Sequence, residues 1–267
     1  MNIKLLIASL ILSTVVACSS SPLGRTQITM MSAEKMNELG AQSFEEIKKK
    51  ETISTNTAVN AYVQCIADNI TRNVSKDVHS GDWEVVVFQS DQVNAFALPG
   101  GKIGVYTGII KVAETQDQLA AVMGHEVGHV IAEHSNERMS SNNLVSGSLA
   151  AVNTVLGAFD VQSKDLIVQG LGLGAQYGVL MPYGRAHEKE ADIIGQNLMA
   201  VSGFNPTASV DLWRNMAKAS GGSPPEFMST HPAHDTRIRE LSDHLSETKP
   251  SYNSSKQNPQ CARPRSI

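Results

Sequence analysis

The sequence predicts an α+β fold, mostly helical, with a small antiparallel sheet beside one central helix. Two kinds of periodicity and one motif carry that expectation. Apolar residues recur at helical spacing over 32–50, 57–76, 187–201 and 206–219, and again from His231 towards Leu245. Between the second and third of these lie β-rich runs at 83–88, 94–98 and 102–106, the last two joined by Pro99-Gly100-Gly101, a strong turn signal. The motif is His125-Glu126-x-x-His129, inside the apolar run Ala121 to His134.

At 267 residues and 41% hydrophobic content the chain can bury a sizeable core, while a net charge of −4 offers no basic face to nucleic acid. Nucleic-acid partners are therefore excluded. Residues 1–17 read as a signal peptide: Lys4 supplies a short positive region and Leu5 to Leu12 an apolar stretch too short to span a bilayer. Val15-Val16-Ala17-Cys18 resembles a bacterial lipobox, which makes Cys18 the lipidated N-terminus; the alternative is an ordinary secretory peptide with an incidental cysteine. With Ser19 following, the expected location is the periplasm, lipid-anchored to the outer membrane. In that oxidising setting Cys65 and Cys261 are candidates for a disulfide, or remain as two thiols.

Residues 18–31 read as a tether, 32–246 as a single domain and 247–267 as an irregular, polar tail. Ser32 opens the first helix as an N-cap, and Lys48, Lys49 and Lys50 suit its C-terminal dipole. The strand around Asn94 could hold an extended peptide by main-chain hydrogen bonds, or simply cover the core. Thr115-x-x-Gln118 fits a capping box opening the central helix, which is expected to run to Met139. On that helix His134, five residues past His129, points away from the motif, towards solvent or a loop. The charge-poor stretches 140–159 and 166–184 fit two helices packed on the core or covering a cleft. A transmembrane hairpin, or a face for membrane or partner, is the other option.

Histidines at i and i+4 project from one helix face and can supply two nitrogens to a zinc ion, with Glu126 placed to take a proton from a metal-bound water. A third histidine six residues after His129 would mark a different class, but Ser135 stands there. The third ligand is therefore sought in a later helix, where Glu188 and Asp192 share a face and Glu190 points elsewhere. A ligand at Glu188 leaves Asp192 to accept the second N–H of a metal-bound histidine.

Four motifs in order, H-E-x-x-H, Glu188-x-x-x-Asp192, His231-Pro232 with Arg237, and the segment from Asn94 to Gly101, resemble the HtpX-like zinc metallopeptidases, the family of the CAAX prenyl endopeptidase. With the lipobox, the chain looks most similar to the periplasmic lipoprotein branch of that family. The resemblance implies a gluzincin-type metallopeptidase domain with one zinc ion per chain. Its ligands would be His125, His129 and Glu188, with Glu126 as general base, Asp192 behind the ligands and Asn94 near the substrate strand. His231 and Arg237 would approach the metal from the far side as catalytic groups, His231 acting as a transition-state stabiliser or as a latch on the open metal position. The implied activity is hydrolysis of misfolded or misassembled envelope proteins, with outer-membrane assembly machinery as a partner. Another class of function is a chaperone or assembly lipoprotein whose zinc site is latent or structural.

Overall fold

The computed structural model describes residues 18–158, 162–175, 181–219, 227–228, 231 and 235–265. Its elements run β1 (Cys18–Ser20), β2 (Thr26–Ile28), α1 (Ala33–Lys50), α2 (Thr57–Thr71), β3 (Glu84–Phe88), β4 (Ala95–Leu98) and β5 (Lys102–Tyr106). There follow α3 (Thr107–Val112), α4 (Gln116–Ile131), α5 (His134–Ala158), α6 (Lys164–Ala175), α7 (Met181–Val201), α8 (Thr207–Ala219) and α9 (Asp235–Ser254). The fold is α+β and mostly helical. By its contacts the chain divides into two units, residues 1–32 with 136–180, and residues 33–135 with 181–267.

The larger unit is built on the periodicities read from the sequence. In α2, Val59, Tyr62, Val63, Ile66, Ala67 and Ile70 form the buried face. Asn56 caps that helix, its side-chain oxygen accepting from the backbone N–H of Ala58 and Val59. β4 and β5 form the expected antiparallel hairpin, with Ala95 opposite Val105. Gly100 and Gly101 turn it at φ +83° and +69°, a region that favours glycine. β3 instead joins β5 in parallel, so the sheet is mixed, in the order β3-β5-β4. A bridge from Ile53 to Phe88 covers the outer edge of β3, which leaves β4 as the other edge.

Thr115 caps α4 by accepting from Gln118 N–H, and the Gln118 side chain accepts in return from Glu114 N–H rather than from Thr115. α4 stops at Ile131, short of the predicted Met139. Glu133 takes a left-handed backbone (φ 53°), and a new helix begins at His134. α7 begins at Met181, ahead of the predicted His187, and α9 extends to Ser254 with Pro250 inside it, so part of the expected irregular tail is helical. Pro232 and most of the glycine-rich loop before it lie outside the described residues.

In the smaller unit, the expected tether carries a short hairpin of β1 and β2. Arg25 donates two hydrogen bonds to the buried Glu137 carboxylate (2.7 and 2.6 Å), and Asn136 pairs with the backbone of Met31. α5 and α6 take up most of the charge-poor stretches, of which residues 159 and 176–180 lie outside the described residues and 181–184 belong to α7; among the described residues no helix is long and apolar enough to cross a membrane.

Candidate metal centre

The site begins with two helices whose backbones touch. A Cβ on Gly195 of α7 would fall 2.7 Å from the carbonyl carbon of Gly124 on α4, and one on Gly128 would fall 2.8 Å from the Ala191 oxygen. Only glycine permits that approach, and it brings Glu188 and Asp192 across from His125 and His129.

There the donor atoms converge. His125 Nε2 lies 3.1 Å from His129 Nε2 and 3.3 Å from Glu188 Oε2, and His129 Nε2 lies 3.4 Å from Glu188 Oε1. The Nδ1 of His231 joins them, 3.1 Å from His125 Nε2 and 3.0 Å from Glu188 Oε2. All four residues offer ligand atoms within 4.8 Å of one another. Ligands at about 2.0 Å on a tetrahedral ion are separated by about 3.3 Å, so the spacing matches a zinc site of two imidazoles and one carboxylate, with the fourth position near His231. Glu126 is 5% exposed, and its Oε1 makes no hydrogen bond among the described residues, with His231 Nε2 standing 3.4 Å away. A buried carboxylate oxygen left over beside such a donor set suits a water held between it and a metal.

Asp192 and Arg237 brace this group. Asp192 Oδ1 lies 2.9 Å from His125 Nδ1, the acceptor position expected of it. Arg237 donates to both oxygens of Asp192 at 2.7 Å, and its Nη1 lies 3.0 Å from Glu188. Its guanidinium carbon sits 3.9 Å from the centre of the Trp213 ring. The guanidinium thus holds the carboxylates from behind.

Charges follow from this packing. Burial disfavours charge on His125, yet its hydrogen bonds to Asp192 and Glu188 outweigh that and push its pKa up to about 9. Burial, then the neighbouring His125, keep His129 well below its ordinary value. Burial raises the Glu126 carboxyl, and the same penalty on Glu188 is overcome by hydrogen bonds from His125 and His231, which hold it far below the usual range.

The other expected residues lie elsewhere. Asn94 stands just before β4, its side-chain oxygen accepting from Ala95 N–H and its carbonyl accepting from Tyr106. Cys65 and Cys261 form a disulfide with Cα atoms 5.7 Å apart. Cys18 enters β1.

His134 corrects the sequence reading. It is 1% exposed, its Nδ1 lies 2.8 Å from His129 Nδ1 and its Nε2 lies 3.2 Å from Glu190 Oε2. The outward direction assumed a continuous helix, and the left-handed turn at Glu133 re-aims the side chain inwards. No glycine or asparagine marks that break, so only the adjacency of His134 to the motif hinted at a role.

Sequence comparison with known proteins gives the family. The model of Peptidase family M48 matches residues 56–245. The chain is 37% identical over 169 residues to the mitochondrial metalloendopeptidase OMA1 of Schizosaccharomyces pombe, covering 62% of this chain and 48% of the relative. It is 29% identical over 230 residues to the human metalloendopeptidase OMA1, covering 82% and 44%. It is 26% identical over 171 residues to the beta-barrel assembly-enhancing protease of Escherichia coli K12, covering 61% and 34%. The chain thus spans half or less of the length of these relatives. With a matched segment that contains the H-E-x-x-H helix, Glu188, His231 and Arg237, the chain belongs to peptidase family M48.

Proposed function

We propose that this chain is a zinc-dependent endopeptidase acting on misfolded or misassembled proteins of the cell envelope. The observation that carries the reading is the convergence of His125, His129 and Glu188 beside a buried oxygen of Glu126 that makes no hydrogen bond among the described residues. Zinc held there would polarise the scissile carbonyl and acidify a water. Glu126 would take a proton from the attacking water and return it to the leaving amine, a task suited by the burial that raises its carboxyl pKa. By accepting from His125 Nδ1, Asp192 leaves Nε2 as the nitrogen that would shed its proton and face a metal.

β4 supplies the substrate track. Because Asn94 O accepts from Tyr106 N–H, the alternation of the ladder turns the backbone groups of Ala95 and Ala97 away from β5, the side on which an extended peptide would pair, with Ala95 N–H held meanwhile by the Asn94 side chain. Val93 O, next in that outward row, accepts from Phe227 N–H, which brings the start of the segment leading to His231 alongside the edge. His231 at the end of that segment reaches the ligand group, which favours the latch over the stabiliser. A chaperone or assembly lipoprotein with a latent zinc site is the second reading, favoured by the same latch geometry.

The placement in the envelope rests on the lipobox at Cys18, with an outer-membrane lipid anchor, and on the disulfide, which belongs to an oxidising compartment. The likeness to a beta-barrel assembly-enhancing protease supports outer-membrane assembly machinery as the setting.

The test is cleavage of unfolded casein by wild type, Glu126→Gln and His231→Ala, with zinc content measured for each. Wild type should cleave, Glu126→Gln should keep its zinc and lose about 10²–10⁴-fold in rate, and His231→Ala should cleave faster. Equal cleavage by wild type and Glu126→Gln, or none by any of the three, would falsify the protease.

A further inference from the structure

His129 is the one histidine of the motif that Asp192 does not serve, and a different chain of groups stands behind it. His134 Nδ1 lies 2.8 Å from His129 Nδ1, and His134 Nε2 lies 3.2 Å from Glu190 Oε2. The His134 ring is stacked on His187 with centroids 4.2 Å apart and planes 19° apart, so it is held flat in one orientation. His134, His187 and Glu190 are all at most 3% exposed.

We infer that Glu190 and His134 are positioning residues that fix which nitrogen of His129 carries its proton, and thereby set the affinity of the site for its metal. The inference rests on the metal-site reading above and extends it to residues outside the ligand group. An ionised carboxylate can only accept, so Glu190 draws the proton of His134 onto Nε2. His134 Nδ1 is then an acceptor, and it takes the Nδ1–H of His129. His129 Nε2 keeps its lone pair and faces Glu188, where a cation would sit. Were the relay reversed, with His134 Nδ1 donating, the proton of His129 would move to Nε2 and block the metal position. Glu190 therefore gives the chain its polarity.

Glu190→Gln is the sharp variant, since it keeps the volume and offers an NH₂ that can donate to His134 and reverse the relay. The full-length protein is stripped with a chelator, zinc affinity is measured by competition, and the His129 tautomer of the metal-free protein is read by long-range ¹H–¹⁵N NMR. Wild type should show the Nδ1–H tautomer. Glu190→Gln should mix in the Nε2–H form, and it and His134→Leu should bind zinc about 10–100-fold more weakly. His134→Asn, whose amide oxygen can stand near the lost Nδ1, should recover part of the affinity. Thermal stability of the metal-free Glu190→Gln protein should stay close to wild type, which separates positioning from mere packing. Unchanged zinc affinity and tautomer in Glu190→Gln would overturn the inference while leaving the metal site intact. A wild-type chain that does not hold zinc would overturn both.

Discussion

Arg237 grips Asp192 through two hydrogen bonds of 2.7 Å, one from Nε and one from Nη2, and the same carboxylate stands 2.9 Å from His125. A buried cation is thus the hinge between α9 and the ligand-bearing helices. The arrangement sets two carboxylates and a guanidinium in low dielectric, where each is tolerable only because the others are present.

Replacing Arg237 with methionine should therefore destabilise the metal-free protein by about 3–5 kcal/mol, because Asp192 and Glu188 lose their shared counter-charge. Urea unfolding with and without zinc checks this. Zinc should recover part of the loss by taking over Glu188, whereas a penalty below about 1 kcal/mol would mean that the cation is not needed there.

Gly195→Ala should force α4 and α7 apart, since the new Cβ would lie 2.7 Å from both Gly124 C and His125 N. The expected cost is about 1–3 kcal/mol, together with weaker zinc binding because Glu188 moves with α7. Calorimetric melting and chelator competition would read the two effects separately. A variant as stable as wild type would show that the helices have slack.

The disulfide closes a sequence separation of 196 residues and clamps the C-terminal segment to α2, where that segment also meets the start of the H-E-x-x-H helix. There the Gln116 side chain donates to Pro259 O at 2.9 Å and accepts from Cys261 N–H at 2.8 Å. Cys65→Ser should cost about 2–4 kcal/mol, and a reductant should lower the melting temperature of wild type towards that of the variant. Hydrogen exchange should quicken first at residues 257–263, and insensitivity to reductant would contradict the clamp.

Glu84 joins Lys48 of α1 at 2.6 Å and Lys102 of β5 at 2.9 Å, and those hydrogen bonds lower its pKa. A carboxyl lowered on folding adds stability above its unfolded pKa, and that stability is lost as pH falls through the lower folded value. Glu84→Gln should thus be less stable than wild type at neutral pH by about 0.2–1 kcal/mol, the range for a partly exposed pair. The gap should close in acid, and melting curves across the carboxylate range would show it. A gap that widened in acid would have the wrong sign.

Legibility of the site tracked the length of chain over which each geometry is decided. The pairing of His125 with His129 needs only one helix turn, so spacing alone put both on one face. The cap at Thr115 was equally local, although the second half of its box went to Glu114. The β4–β5 hairpin announced itself through Gly100 and Gly101 because a tight turn demands a backbone that few other residues adopt.

Other features belong to the packing. The parallel placement of β3 depends on a crossover, which no local pattern encodes. His134 was misplaced because one left-handed residue, Glu133, rotates everything after it, and nothing in its side chain advertises that conformation.

By itself, the sequence determined that two imidazoles and a carboxylate share a rigid helix, and that a second acidic helix must complete them. Only the tertiary structure decided how closely the helices meet, which nitrogen of each histidine faces inwards, and that His231 arrives from a third direction. The reason is physical: periodicity sets directions within an element, whereas distances between elements come from the glycines, buried ion pairs and cross-links through which they touch.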